Sequence, residues 1–186
     1  MTIDPLRRRK IVVLGSRSVG KTSLVIQFVE NQYYENYCPT IENTYSKSIK
    51  YNGVEYDVDI LDTAGQDEYT LISSAHTFGV HGFVLVYSVT NRNSFDLIQT
   101  VHDKIINYSG MGSIPCVVVG QMCDLNDQRQ VKPTEVQKLA ESIGSAWVET
   151  SARQNTNVAK VFDLCLAEIE KSINPPQPAP GKCIIM

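Results

Sequence analysis

The sequence predicts an α/β domain: a six-stranded, mostly parallel sheet with one antiparallel edge strand and about five helices. Three observations carry this reading. Short apolar runs rich in β-branched residues alternate with segments of helical period. Those runs lack the polar alternation of a half-exposed strand, as expected of parallel strands covered on both faces. Finally, one pair of openly alternating segments flanks Asn52-Gly53, a hairpin signal.

In chain order, KIVVLG, GFVLVYSV and CVVVG read as the buried parallel strands. Residues 44–50 and 54–61 form the antiparallel edge pair around the Asn52-Gly53 turn. Four apolar stripes at helical spacing mark faces that pack on the sheet. They are Leu24, Val25, Phe28, Val29; Phe95, Ile98, Val101, Ile105; Val136, Leu139, Ala140, Ile143; and Val158, Val161, Phe162, Cys165, Ile169. After residue 173 the pattern stops. NPPQPAPGK is too rich in proline for a helix or a ladder and reads as an extended linker ending in CIIM. The expected organisation is one domain over residues 1–173 and a tail over 174–186.

The 186 residues suffice for one well-buried domain. A net charge of −3 gives no electrostatic reason to expect nucleic-acid binding. The cluster Arg7-Arg8-Arg9-Lys10 reads as a solvated strand entrance. Five scattered cysteines without a CxxC pair favour free thiols in a reducing compartment. The three histidines form no ligand cluster with them, which argues against zinc. No apolar run is as long as a membrane span.

The first strand runs into GSRSVGKTS, which satisfies G-x-x-x-x-G-K-[ST]. Gly15 and Gly20 let the chain curl so that backbone N–H groups of Ser18, Val19, Gly20 and their neighbours through Ser23 face one anion. Lys21 is placed for β- and γ-phosphates and Thr22 for Mg²⁺, while the helix that begins here adds its dipole. Alone, the pattern also suits an ATPase or a small-molecule kinase. Further on, LDTAGQDEY follows a buried strand: Asp62 can reach the magnesium, Gly65 offers an N–H toward a γ-phosphate, and Gln66 can orient an attacking water. In YCPTIENTY, Thr40 offers the metal a second hydroxyl. These are parts of a switch ordered by γ-phosphate and Mg²⁺.

GSRSVGKTS, YCPTIENTY, DTAGQDEY and ETSAR together resemble the small GTPases of the Ras superfamily, over about residues 10–171. Arg17-Ser18, IENTY and GQDEY are most similar to the Rheb type within it. The resemblance implies a P-loop NTPase G domain that binds GTP or GDP with Mg²⁺. It implies slow hydrolysis, with Arg17 crowding the γ-phosphate and Tyr37 covering the nucleotide, and it implies dependence on a tuberin-type GTPase-activating protein. The expected effector is the TOR kinase complex. A fast-exchanging guanine-nucleotide scaffold that scarcely hydrolyses is the alternative. One departure is Cys38, where family members commonly carry an acidic residue.

Relatives read guanine with N-K-x-D and S-A-K; this chain has QMCD and SAR. Asp124 keeps the carboxylate that takes guanine N1–H and N2–H₂ as a bidentate pair. Ser151 and Ala152 fall where backbone N–H groups would meet the guanine carbonyl oxygen. Gln121 retains an amide, but its extra methylene is expected to displace the tie between base and phosphate loop. Met122 can lie across the base as a lysine stem does, without the ammonium. The expectation is a guanine site that stays selective yet releases nucleotide faster.

Cys183 opens a C-a-a-X box whose final Met favours farnesyl. One lipid without a polybasic partner gives reversible membrane association. The expected setting is a monomer on the cytoplasmic face of endomembranes or a vacuole- or lysosome-like membrane, with a cytosolic pool.

Overall fold

The structure, a computed structural model, describes residues 5–36 and 39–175. Tyr37, Cys38 and Cys183 lie outside them. The elements run β1 (Arg8–Gly15), α1 (Lys21–Glu30), β2 (Glu42–Tyr51), β3 (Val54–Thr63), β4 (Gly82–Ser88), α2 (Arg92–Ser109), β5 (Cys116–Gln121), α3 (Pro133–Ile143), β6 (Ala146–Glu149) and α4 (Val158–Ile173).

The six strands form one sheet in the order β2-β3-β1-β4-β5-β6. Only the β2–β3 pair is antiparallel. It turns at Asn52 and Gly53, whose φ angles of 48° and 79° are those of a tight hairpin turn. The six-stranded, mostly parallel sheet is as the sequence predicts. The described residues contain four α-helices, one per apolar stripe, against the expected five or so. Residues 64–78 hold only a short 3₁₀ turn at Ser74–His76.

Side-chain alternation along the buried strands divides the core in two. Ile11, Val13, Val84, Val86, Val117 and Val119 face α1 and α4, whereas Val12, Leu14, Leu85, Tyr87 and Val118 face α2 and α3. On the first face, the Phe28 ring of α1 stacks on Phe162 of α4, centroids 3.9 Å apart. The strand order reverses direction around β1, which pairs with β3 on one side and β4 on the other. In open α/β sheets the crevice at such a point, beyond the strands' carboxyl ends, is where ligands bind. Gly15 ends β1 there. Its φ of 149° and its approach to Val86, whose carbonyl oxygen an added Cβ would overlap, admit no side chain.

Because Phe162 is fully buried in that stack, Phe162→Ala should cost about 3–5 kcal/mol of unfolding free energy, measured by chemical denaturation.

Candidate nucleotide-binding site

A cleft of about 1020 Å³ opens at the end of β1, lined among others by Arg17, Gly20, Lys21, Thr22, Thr40 and Gly65. The loop from β1 to α1 wraps one end of it. Val19, 1% exposed, anchors the loop in the core. Ser18 takes a left-handed φ of 58° and Gly20 one of 91°, so a serine holds a conformation that glycine adopts more readily. The Lys21 ammonium donates back to the Gly15 and Ser16 carbonyls at 3.0 and 2.8 Å. Burial lowers its pKa from 10.5 to about 8, against a smaller opposing pull from Asp62.

Opposite Lys21, three oxygens converge. Thr22 Oγ1 donates to Asp62 Oδ2 at 2.6 Å and lies 2.7 Å from Thr40 Oγ1. Asp62 stands at the end of β3, fully buried, and its Oδ1 has no protein partner. Burial raises the pKa of this carboxyl, partly offset by the Thr22 hydroxyl and Lys21. Two hydroxyls and an orphaned carboxylate oxygen form the hard-oxygen set that suits Mg²⁺. They fit a magnesium ion held by Thr22, Thr40 and Asp62. The lysine and the aspartate each pay for burial more than their mutual attraction returns, and a phosphate for one and a cation for the other would remove that deficit.

Arg17 and Gly65 meet on the phosphate side. A Cβ on Gly65 would stand 2.6 Å from Arg17 Cα and 2.9 Å from its Cβ, so glycine is the residue this approach allows. Gln66, by contrast, is not brought into the cleft. It is only 4% exposed; its backbone N–H donates to Gly15 O at 2.9 Å and its Nε2 to Ala64 O at 3.2 Å.

The base-reading half is a smaller cavity of about 100 Å³ beside Gly20, Tyr33, Gln121, Met122, Asp124 and Ala152. Asp124 lines it, at the end of a loop in which Met122 adopts φ 66°. Met122 Sδ accepts from Ser88 Oγ at 3.4 Å, so the thioether has a partner of its own.

Gln121 corrects the expected displacement. Its side chain is 2% exposed, with Nε2 donating to Gly20 O at 3.3 Å. Its Oε1 accepts from Met122 N, Thr150 Oγ1 and Ala152 N at 3.0, 3.2 and 3.1 Å. The longer amide therefore makes the tie to the phosphate loop, because Gly20 has no Cβ and leaves room for it: an added Cβ would lie 3.3 Å from Gln121 Cγ. The same bonds engage the Ala152 N–H, and the Ser151 N–H donates to Thr156 O at 3.1 Å. Neither is a free donor for a base carbonyl, contrary to expectation; Ala152 N–H would have to be shared.

Several contributors carry little sequence signal. Thr150 donates its hydroxyl to Gln121 Oε1, and its carbonyl accepts the Cys123 N–H at 3.0 Å. Arg129 pairs with Glu149 through 2.6 and 2.9 Å bonds, clamping the Asp124 loop to β6. Tyr33 lines both cavities, and its only hint is an aromatic pair in an otherwise polar loop.

Phosphate cradle, convergent metal oxygens and a smaller pocket lined by Asp124 together define a P-loop guanine-nucleotide-binding protein. The Ras-family profile matches residues 10–171. The chain is 53% identical over 182 residues to GTP-binding protein rhb1 of Schizosaccharomyces pombe, covering 97% of this chain and 98% of that one. It is 53% identical over 182 residues to small monomeric GTPase RhbA of Aspergillus fumigatus, covering 97% of each. Its identity to human GTP-binding protein Rheb is 42% over 180 residues, covering 97% and 98% of the two chains. The chain belongs to the Ras family, as a Rheb-like small GTPase, and hydrolyses GTP.

Lys21 supplies a pH prediction. With its pKa near 8 in the free site, a fraction of the ammonium is deprotonated at pH 8.5, and a bound phosphate restores the charge. GDP binding should therefore take up protons at pH 8.5, scarcely any at pH 7, and weaken as pH rises above 8. Calorimetry in two buffers of different ionisation enthalpy reads the uptake; none at pH 8.5 contradicts the assignment.

Proposed function

We propose that this chain is a Rheb-type GTP/GDP switch with slow unaided hydrolysis, acting on TOR kinase signalling at endomembranes. The observation that carries the slow-turnover reading is the withdrawal of Gln66 from a cleft where Arg17 packs against Gly65. In the loaded site, Lys21 would exchange the Gly15 and Ser16 carbonyls for β- and γ-phosphate oxygens. Mg²⁺ on Thr22, Thr40 and Asp62 would neutralise phosphate charge. The Gly65 N–H would face the γ-phosphate. To orient an attacking water, Gln66 has to leave the Ala64 carbonyl and turn outward, at a cost that slows hydrolysis. By the resemblance, Tyr37 adds to the restraint, and a tuberin-type activating protein supplies what the withdrawn glutamine does not.

The resemblance likewise supports the TOR kinase complex as effector, read through the switch segments around Thr40 and Gly65. Farnesyl on Cys183 would give reversible attachment to the cytoplasmic face of endomembranes or a vacuole- or lysosome-like membrane, with a cytosolic pool. One feature favours the second reading, a rapidly exchanging scaffold: Met122, where a lysine ammonium would add charge-assisted bonds.

Single-turnover GTP hydrolysis, with and without an activating protein, separates the two. Arg17→Gly should raise the unaided rate about tenfold, a barrier change of about 1.4 kcal/mol; equal rates would sink the crowding role. Met122→Lys should slow GDP release by about ten- to a hundredfold, the worth of a charge-assisted bond of roughly 1.5–3 kcal/mol. Unchanged release would show that the missing ammonium does not limit retention.

A further inference from the structure

The segment that carries Gln66 leaves β3 without forming a helix; Ile72, 7% exposed, anchors it in the core, and Lys10 on Ala75 O and His76 on Glu42 hold its far end, but between Gln66 and Ile72 its external supports are few. Its beginning is tied to the phosphate loop by the Gln66 N–H to Gly15 O bond and a bridge between Ser16 and Gln66. The next turn closes on itself. Thr70 Oγ1 and Tyr69 N donate to Asp67 Oδ1 at 2.7 and 3.0 Å, and Asp67 N donates to Thr70 Oγ1 at 3.0 Å. These bonds fix the turn's shape but not its position on the domain.

Over residues 67–71 the polar tie to the rest of the domain comes from α2. The Lys104 ammonium donates to Glu68 O at 2.6 Å and to Thr70 O at 2.9 Å. Among the hydrogen bonds of the described residues, no other side chain from outside the segment reaches residues 67–71. Lys104 stands on a rigid base: its neighbours Val101 and Ile105 are buried, and α2 runs for 18 residues. The choice of carbonyls matters. In a helix, carbonyls two residues apart diverge around the axis and are engaged by the N–H groups four residues on. One ammonium reaches both here because the chain is not helical over this stretch. The same arrangement leaves Tyr69 and Leu71 82% and 86% exposed while Gln66 is 4% exposed.

We propose that Lys104 is a positioning residue of the GTPase reaction. By pinning the Glu68 and Thr70 carbonyls to α2, it holds the segment in the non-helical form that keeps Gln66 out of the cleft, and so lowers the unaided rate. This rests on the slow-turnover reading above. Lys104 is not among the residues that line the cleft; its effect runs through Gln66.

The test is single-turnover hydrolysis by the GTP-loaded full-length chain. Lys104→Met keeps the stem and removes the ammonium, Lys104→Gln is a second neutral variant, and Lys104→Arg keeps the donors. Both neutral variants should hydrolyse about five- to tenfold faster, the change expected for about one ordinary net hydrogen bond, while Lys104→Arg keeps the slow rate. A structural role alone would not make the gain depend on Gln66, so the decisive arm repeats Lys104→Met with Gln66→Leu, where the acceleration should vanish. No acceleration in either neutral variant, or the same acceleration without Gln66, overturns the proposal. A wild-type rate that is already fast would overturn the slow-switch reading, and this proposal with it. A slow wild type that ignores Lys104 overturns this proposal alone.

Discussion

One buried amide, that of Gln121, holds the nucleotide site together. It joins the phosphate loop at Gly20, its own loop at Met122 and the loop after β6 at Thr150 and Ala152. These three segments come from distant parts of the chain and meet only because β1, β4, β5 and β6 lie in that order in one sheet. Strand pairing brings them near; the amide sets their spacing. A buried polar group left without its partners costs about 1–3 kcal/mol, so the arrangement is strongly preferred to any in which one loop drifts. Asp124, the residue expected to read the base, sits in a loop held at two ends, by Gln121 and by the Arg129–Glu149 pair.

The phosphate end is governed by charge rather than by a hub. Lys21 and Asp62 are both buried, and burial shifts both toward their neutral forms. Such a site has stability in reserve that a polyanion with its metal would release. That explains how distant loops can respond to the terminal phosphate. Thr40 reaches the metal oxygens from one switch segment, and Gly65 approaches Arg17 from the other.

What the sequence revealed divides along physical lines. The strand–loop–helix cradle, the paired edge strands and Asp62 at a strand end were legible because each depends on short-range chemistry: glycine dihedrals, alternation and a motif of fixed spacing. The mostly parallel sheet follows from the same apolar runs, whereas the order of its strands comes from the structure. Gln66 was legible as a residue but not in its direction, which is set by Lys104 from an unrelated helix. Gln121 departs from its sequence expectation for the opposite reason. Side-chain length alone places its amide wrongly, because its reach depends on the missing Cβ of Gly20, 101 residues away. Thr150 and the engagement of the Ala152 N–H follow from that amide and had no signature of their own. Residues 64–78 lack a sustained apolar period, which accords with the absence of a further α-helix there.

The central claim is that the Gln121 amide, not the size of the side chain, sets how long the nucleotide stays. The dissociation rate of a fluorescent GDP analogue from Gln121→Leu, a near-isosteric side chain without the amide, tests it directly. With the domain still folded by circular dichroism, release should be at least about tenfold faster than from the wild type, as loss of more than one buried hydrogen bond requires. Release at the wild-type rate would contradict the account.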